Sequence, residues 1–136
     1  MSSLPPAVLA LILTSVIAFL AQSLSEGLTG TLALWPIGSG AFWPLQAVTY
    51  ASLHGSISHL AFNMFGLWMF GADLERVWGP KRLLMLYVVS VLGAAVAKLG
   101  VATMSGSVYP TVGASGGLFG ILVAFAMVFP HARSCR

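Results

Sequence analysis

Four apolar segments, separated by polar or glycine- and proline-rich connections, dominate the pattern of hydrophobic and polar positions along the chain. Their lengths lie close to the roughly 20 apolar residues that a membrane-crossing helix needs. The pattern predicts four helices, over residues 7–24, 56–72, 83–104 and 115–130. We therefore predict an all-α membrane protein, a polytopic helical bundle that forms one domain over residues 1–136.

The composition supports a membrane class. Of the 136 residues, 58% are hydrophobic and 7% are charged, and the mean hydropathy is +0.95. A soluble domain carries about 25% charged residues, so this chain has too few charges to cover a water-facing surface. Six Lys and Arg residues are too few for a nucleic-acid interface. Cys135 is the single cysteine, which excludes an intramolecular disulfide and a cysteine-based metal cluster.

The distribution of basic residues predicts the orientation in the bilayer. The polar 73–82 turn and the C-terminal tail contain Lys and Arg, whereas the 25–52 and 105–114 connections contain none. Connections rich in Lys and Arg stay in the cytoplasm, so we expect the 73–82 turn and the tail to be cytoplasmic. Lys98 lies near the far end of the third predicted helix, from where its side chain can reach the membrane surface.

Polar side chains near the starts of the second and fourth predicted helices point to a site inside the membrane. At about 1.5 Å per residue, Ser115 lies about 22 Å from the cytoplasmic end of its helix, and His59 lies about 21 Å from the end of its own. The two side chains are therefore expected at one depth, with Asn63 on the same helix face as His59. Irregular backbone at that depth requires a cavity, so we expect Ser115 at the floor of a cavity open to the outside.

The chemistry of these residues suits acyl transfer. The free N–H groups at a helix N-terminus stabilise the negative charge that forms when Ser115 attacks a carbonyl group. Gly113 and Gly116 keep the surroundings of the serine free of side chains. The imidazole of His59 and the amide of Asn63 offer N–H donors, so we assign both to an oxyanion site.

Other interpretations of the same residues remain open. The glycine spacing around Ser115 is also typical of close helix packing, and His59 with Asn63 is also typical of a structural hydrogen-bonded pair. His54, taken alone, is typical of an interfacial polar residue. A zinc-protease motif is absent, and the Gly-x-Ser-x-Gly string lacks the preceding strand of a soluble hydrolase, so no metal and no cofactor are expected.

At these residues the chain resembles the rhomboid family of intramembrane serine proteases. The match comprises His-x₄-His-x₃-Asn at His54, His59 and Asn63, and Gly-x-Ser-Gly at residues 113–116. It extends over nearly the whole chain, from about residue 7 to 130. Further stretches similar to bacterial-type members lie at residues 43–50, 62–68, 71–75 and 79–82.

The resemblance implies a fold of six core helices, of which the four predicted here would be the first. It implies that Ser115 is the nucleophile, that the oxyanion is held by His59, Asn63 and the backbone N–H of Ser115, and that His54 supports the site together with Gly113 and Gly116. It also implies transmembrane protein substrates and, for a bacterial-type member, a multi-pass location in the bacterial inner (plasma) membrane.

The chain departs from the family in one respect that affects activity. The family's general base is a histidine on the sixth helix, which has no counterpart here, and His131 is expected at the opposite membrane face. A serine without a base is a weak nucleophile, so we expect a truncated, frameshifted or partial sequence with little or no activity alone. The glycine-rich face of the fourth helix is expected to need missing C-terminal helices or oligomer partners, which predicts a loose or oligomeric bundle.

Three functions compete at this point. The first is an intramembrane serine endopeptidase that acts through Ser115. The alternative is a non-catalytic rhomboid-like binder of membrane helices, against which the intact Ser115, His59 and Asn63 argue. The third is a fragment of a small transporter or channel, which would also place polar residues inside the membrane.

Overall fold

The computed structural model describes residues 4–129, and this part of the chain is helical with no named strand. The helices are α1 Pro6–Leu24, α2 Glu26–Leu32, α3 Gln46–Thr49, α4 Ile57–Gly66, α5 Ala72–Trp78, α6 Pro80–Ser105 and α7 Ser115–Val128. Short 3₁₀ turns lie at Ile37–Ser39 and Tyr50–Ser52, and a π-helical turn, Leu67–Gly71, joins α4 to α5 without a break. By length and composition, α1 and α6 can each cross a membrane, and α7 is a shorter apolar helix.

The second helical segment ends later than its pattern predicts. Residues 73–78 are helical instead of forming a polar turn, and α6 begins at Pro80. Gly79 alone reverses the chain, with φ at +88°, and its N–H donates to the Glu75 carbonyl oxygen at 2.7 Å. Glycine tolerates this backbone conformation and proline suits the first position of a helix, so the Gly-Pro pair replaces the predicted turn.

A buried carboxylate fixes the beginning of α1. Glu75 is 2% exposed, and its two oxygens accept hydrogen bonds from the backbone N–H groups of Ala7 and Val8, both at 2.8 Å. No side chain from its own N-cap residue covers the start of α1. The carboxylate satisfies two free donors and opposes the positive end of the helix dipole, so α1 begins beside α5.

The glycine-rich face of α7 packs on α6. A Cβ at Gly116 would lie 2.5 Å from the Cβ of Ala94, and Cβ atoms at Gly117 and Gly120 would overlap Tyr87 and Ser90. Small residues let two helix backbones approach in this way. Within the described residues, α6 provides a packing partner for this face, and the expectation of further helices or oligomer partners stays a prediction.

The core lies where α1, α5, α6, α7 and the π-helical turn meet. Its fully buried apolar side chains include Val8, Leu67, Leu74, Leu83 and Ile121. The outward faces of the helices are apolar as well, as at Leu13, Ile17 and Leu20, which are 50%, 64% and 58% exposed. Such a continuous apolar surface is typical of helices that face lipid.

One side chain organises the long connection between α2 and α3. Gln46 is 1% exposed; its Nε2 donates to the carbonyl oxygens of Thr31 and Ala41, both at 3.0 Å. Its Oε1 accepts from the backbone N–H groups of Trp35 and Trp43 at 3.2 and 3.3 Å. Four hydrogen bonds from one buried amide hold this connection in a single arrangement.

Candidate functional site

The residues before Ser115 are held against the long connection. Leu34 and Thr111 exchange backbone N–H···O hydrogen bonds, both 2.9 Å, and the Gly113 N–H donates to the Tyr50 carbonyl oxygen at 2.9 Å. Gly113 has φ at +121°, a conformation that only glycine adopts without strain. The backbone therefore enters α7 from a fixed position.

Ser115 is the first residue of α7 and is exposed. Ala114 precedes it as the N-cap residue and makes no side-chain hydrogen bond, which leaves the first N–H groups of the helix without a capping side chain. The backbone at Ser115 therefore has the donor character that stabilises a developing anion.

The structure brings His59 beside the start of α7. The ring of His59 lies so close to Gly113 that a Cβ there would be 2.8 Å from Cε1 and 3.2 Å from Nε2. His59 is half-buried in the first turn of α4, where its N–H donates to the N-cap Ser56 at 3.2 Å. Gly113 is therefore required both for its backbone conformation and for the space that the His59 ring occupies.

His54 packs on His59 and is itself enclosed. The two ring centroids are 5.2 Å apart in a T-shaped arrangement, and His54 is 1% exposed. Within residues 4–129, neither ring nitrogen of His54 has a hydrogen-bond partner. Burial lowers the pKa of the His54 imidazole below its ordinary value of 6.5, and the neighbouring His59 lowers it further.

Gln22 holds the backbone of His54, a role that the sequence reasoning missed. The His54 N–H donates to Gln22 Oε1 at 3.0 Å, and Gln22 Nε2 donates to the His54 carbonyl oxygen at 3.0 Å and to Thr29 Oγ1 at 2.9 Å. Gln22 carries a carboxamide inside a predicted membrane segment. A polar side chain in an apolar run indicates a structural or functional role, and this signal was present in the sequence.

Asn63 lies one turn below His59 and is buried, with 3% exposure. Its Nδ2 donates to the His59 backbone carbonyl oxygen at 2.9 Å. The two residues are thus a hydrogen-bonded pair, but through the backbone of His59 and not through its ring. An amide nitrogen carries two hydrogens, so one donor of Asn63 remains for another acceptor.

Ser115 lines an open groove between α6 and α7, which has a volume of about 520 Å³. The other lining residues are small or apolar, except for Ser90 and Lys98 of α6. We expected a cavity with the serine at its floor. The structure shows a groove along two helices, with Ser115 and Gly116 in its wall.

Comparison with known proteins assigns the chain to a family. The model of the Rhomboid domain matches residues 39–135, well over half of the chain. The chain belongs to the rhomboid family. The predicted class of an all-α membrane protein and the resemblance drawn from the two motifs are both confirmed.

Relatives of this rhomboid chain occur in bacteria and in mitochondria. It is 32% identical to Rhomboid protease GluP of Bacillus subtilis over 119 residues, which are 83% of this chain and 22% of that protein. It is 37% identical to the mitochondrial Rhomboid protein 1 of Saccharomyces cerevisiae, over 65% of this chain and 26% of that protein. For Rhomboid protease AarA of Providencia stuartii the identity is 38%, over 53% of this chain and 30% of that protein.

The chain therefore spans less than a third of the length of each of these relatives. The family includes serine proteases that act on transmembrane substrates within the membrane. The rhomboid domain and the apolar helices make this chain a membrane protein.

Proposed function

We propose that this rhomboid chain carries the nucleophile and the oxyanion site of an intramembrane serine endopeptidase. Once a general base is supplied, this endopeptidase cleaves transmembrane substrates by acyl transfer in the bacterial inner membrane. One observation carries the proposal: Ser115 begins α7 and is exposed in an open groove, and the His59 ring packs against Gly113, two residues before it.

The reaction begins when Ser115 Oγ attacks the carbonyl carbon of the scissile peptide bond. The carbonyl oxygen then becomes an anion and accepts hydrogen bonds from the Ser115 backbone N–H, the His59 ring and the second hydrogen of the Asn63 amide. A general base takes the hydroxyl proton of Ser115 and passes it to the amine as the C–N bond breaks, and water then hydrolyses the acyl-enzyme.

The neighbours of these groups hold them in position. Asn63 is anchored through its first amide hydrogen, and the ring of His54 packs on His59. The left-handed Gly113 and the small Gly116 complete the support of the serine. Donors that are already in place before the reaction stabilise the transition state without reorganisation.

The proton acceptor is proposed to come from another helix. The sequence has three histidines: His54 is enclosed, His59 serves the oxyanion, and His131 lies outside the described residues. A serine without a base reacts slowly. We therefore propose that these 136 residues have little or no proteolytic activity alone, and that C-terminal helices or an associated chain supply the general-base histidine.

Labelling with a fluorophosphonate probe tests this function. In mild detergent the chain should react slowly at Ser115, and added imidazole should accelerate the reaction because it replaces the missing base. Ser115→Ala should abolish labelling, whereas Ser105→Ala, at the exposed end of α6, should leave it unchanged.

Three results would contradict the proposal. Labelling that persists in Ser115→Ala would show that Ser115 is not the nucleophile. Fast labelling that imidazole does not increase would show that the chain has its own base. A folded chain that captures membrane helices but never labels would favour the non-catalytic binder.

A further inference from the structure

Gln22 joins the last turn of α1 to the backbone in front of α4. Its Oε1 accepts a hydrogen bond from the His54 N–H, and its Nε2 donates to the His54 carbonyl oxygen, both at 3.0 Å. The same Nε2 donates to Thr29 Oγ1 of α2 at 2.9 Å, which orients the amide group. One half-buried side chain therefore holds both backbone groups of His54.

The helix that carries Gln22 is also fixed near its other end. At the start of α1, the Glu75 carboxylate accepts hydrogen bonds from the backbone N–H groups of Ala7 and Val8. Gln22 lies about 22 Å further along the helix axis. Because both ends of α1 are bonded to other parts of the chain, Gln22 reaches the backbone of His54 from a fixed position.

The ring of His54 depends on its backbone for its position. It is 1% exposed, and within residues 4–129 neither ring nitrogen has a hydrogen-bond partner. Packing and the placement of the backbone must therefore orient this ring. His54 also lies outside any helix, between the Tyr50–Ser52 turn and α4. The two hydrogen bonds from Gln22 thus restrain a residue that has no helical geometry of its own.

His54 in turn confines the ring of His59. The two ring centroids are 5.2 Å apart in a T-shaped arrangement. The His59 ring also lies against Gly113, where an added Cβ would be 2.8 Å from Cε1. Asn63 is bonded to the backbone of His59 and not to its ring. The direction of the His59 ring N–H therefore depends on the packing of His54.

We propose that Gln22 is a positioning residue of the oxyanion site, which acts through His54 to hold the ring of His59. This inference rests on the proposed function and adds a residue of α1 to the groups that support Ser115. Without the hydrogen bonds from Gln22, the backbone of His54 shifts and its ring no longer confines His59. Misplacing a catalytic group by about 1 Å costs about a hundredfold in rate, so a residue that never touches the substrate can affect the reaction.

Two matched phosphonofluoridate probes measure the oxyanion site separately from the fold, on the whole chain in mild detergent. They are identical except that one has a P=O group and the other a P=S group. In both reactions Ser115 Oγ bonds to phosphorus, fluoride leaves, and added imidazole takes the hydroxyl proton. Oxygen accepts hydrogen bonds better than sulfur, so the ratio of the P=O rate to the P=S rate reports on the donors. A loss of folded protein lowers both rates equally and leaves the ratio unchanged.

Gln22→Met removes the hydrogen bonds and keeps the length of the side chain. We expect it to lower the ratio roughly three- to tenfold, less than the loss of about a hundredfold or more that follows deletion of an oxyanion donor. Thr14→Val is the matched control, because it removes an exposed hydrogen bond within α1 and should leave the ratio unchanged. His59→Ala should lower the ratio by itself, and adding Gln22→Met should lower it no further, because Gln22 acts through His59.

The outcomes separate this inference from the proposed function. If the P=O probe does not label Ser115 in the parent chain, both fail. If it does, but Gln22→Met leaves the ratio unchanged or lowers it further in the His59→Ala background, only the role of Gln22 is overturned. Should Gln22→Met not fold, Thr29→Val replaces it, because it removes only the third hydrogen bond of Gln22. A lower ratio in Thr29→Val supports the role of Gln22, and an unchanged ratio overturns it.

Discussion

At the scale of single residues, three buried or half-buried polar side chains each hold a piece of backbone that helix geometry alone would leave loose. Glu75 holds the start of α1, Gln22 holds the backbone of His54, and Gln46 holds the connection before α3. Their partners lie between 3 and 68 positions away in sequence. A polar group removed from water loses free energy unless it is hydrogen-bonded, so the hydrogen bonds of these three side chains favour one arrangement of the chain.

Because His54 is buried, we expect acid to destabilise the fold. Burial and His59 lower the pKa of His54 in the folded state below 6.5, so below that pH the unfolded state binds more protons. Stability should therefore be unaffected by this group above pH 6.5 and should decrease as the pH falls below it. Thermal melting in detergent at pH 7.5 and pH 5 measures the effect.

The control for that measurement is His131, which lies outside the described residues. His54→Gln should reduce the loss of melting temperature between the two pH values, whereas His131→Gln should not. An equal loss in the parent chain and in His54→Gln would contradict a role for His54 in acid sensitivity.

At the scale of helices, the pair of α6 and α7 sets the position of Ser115. The three glycines on one face of α7 allow its backbone to approach Tyr87, Ser90 and Ala94 closely. Helices in a membrane associate through such close packing, because lipid provides no hydrophobic drive between them. These glycines thus fix the level of Ser115 relative to α6.

Gly120→Ala should damage this helix pair. Its Cβ would overlap Ser90 in the packed interface, and overpacking of this kind costs about 1–3 kcal/mol. The midpoint of unfolding in a denaturing-detergent titration should fall accordingly. Gly100→Ala is the matched control on α6, because nothing lies within 4 Å of its added Cβ.

The Gly100→Ala control should not lower the midpoint of unfolding. Alanine favours a helix over glycine by about 1 kcal/mol, so Gly100→Ala should be neutral or stabilising. If Gly120→Ala and Gly100→Ala shift the midpoint equally, the close contact of Gly120 with Ser90 does not support the fold.

At the scale of the whole molecule, the connections on the side of the candidate site form one linked layer. Gln46 orders residues 31–46, the Leu34–Thr111 hydrogen bonds join that connection to the one before α7, and Tyr50 holds Gly113. The apolar core around α1, α5, α6 and α7 continues into this layer through the buried side chains of Leu34 and Tyr50. Polar contacts and apolar packing therefore position the site together.

Gln46→Ala should therefore loosen both connections of this layer, the one before α3 and the one before α7. It removes all four hydrogen bonds of the Gln46 amide, although the Thr31 carbonyl oxygen keeps the Trp43 indole N–H as a donor. Protection of backbone amides depends on such contacts. Hydrogen exchange should increase at residues 31–46 and also at Thr111 and Gly113, while the core of α6 stays protected. Ser23→Ala, which removes an exposed hydrogen bond within α1, should change neither region.

If hydrogen exchange increases only at residues 31–46, the hydrogen bonds between the two connections do not order the start of α7. Equal exchange in the parent chain and in Gln46→Ala would show that Gln46 does not order the connection at all.

The sequence by itself determined the membrane class, the apolar helices and the family, because these depend on local apolarity and on motifs whose residues lie close together. It also indicated similar depths for His59 and Ser115, because helix rise is constant. Only the tertiary structure decided that Gly79 replaces the 73–82 turn, that α6 receives the glycines of α7, and that Glu75 caps α1. These outcomes depend on contacts between residues far apart in sequence, and no local pattern specifies which distant partner a buried side chain meets.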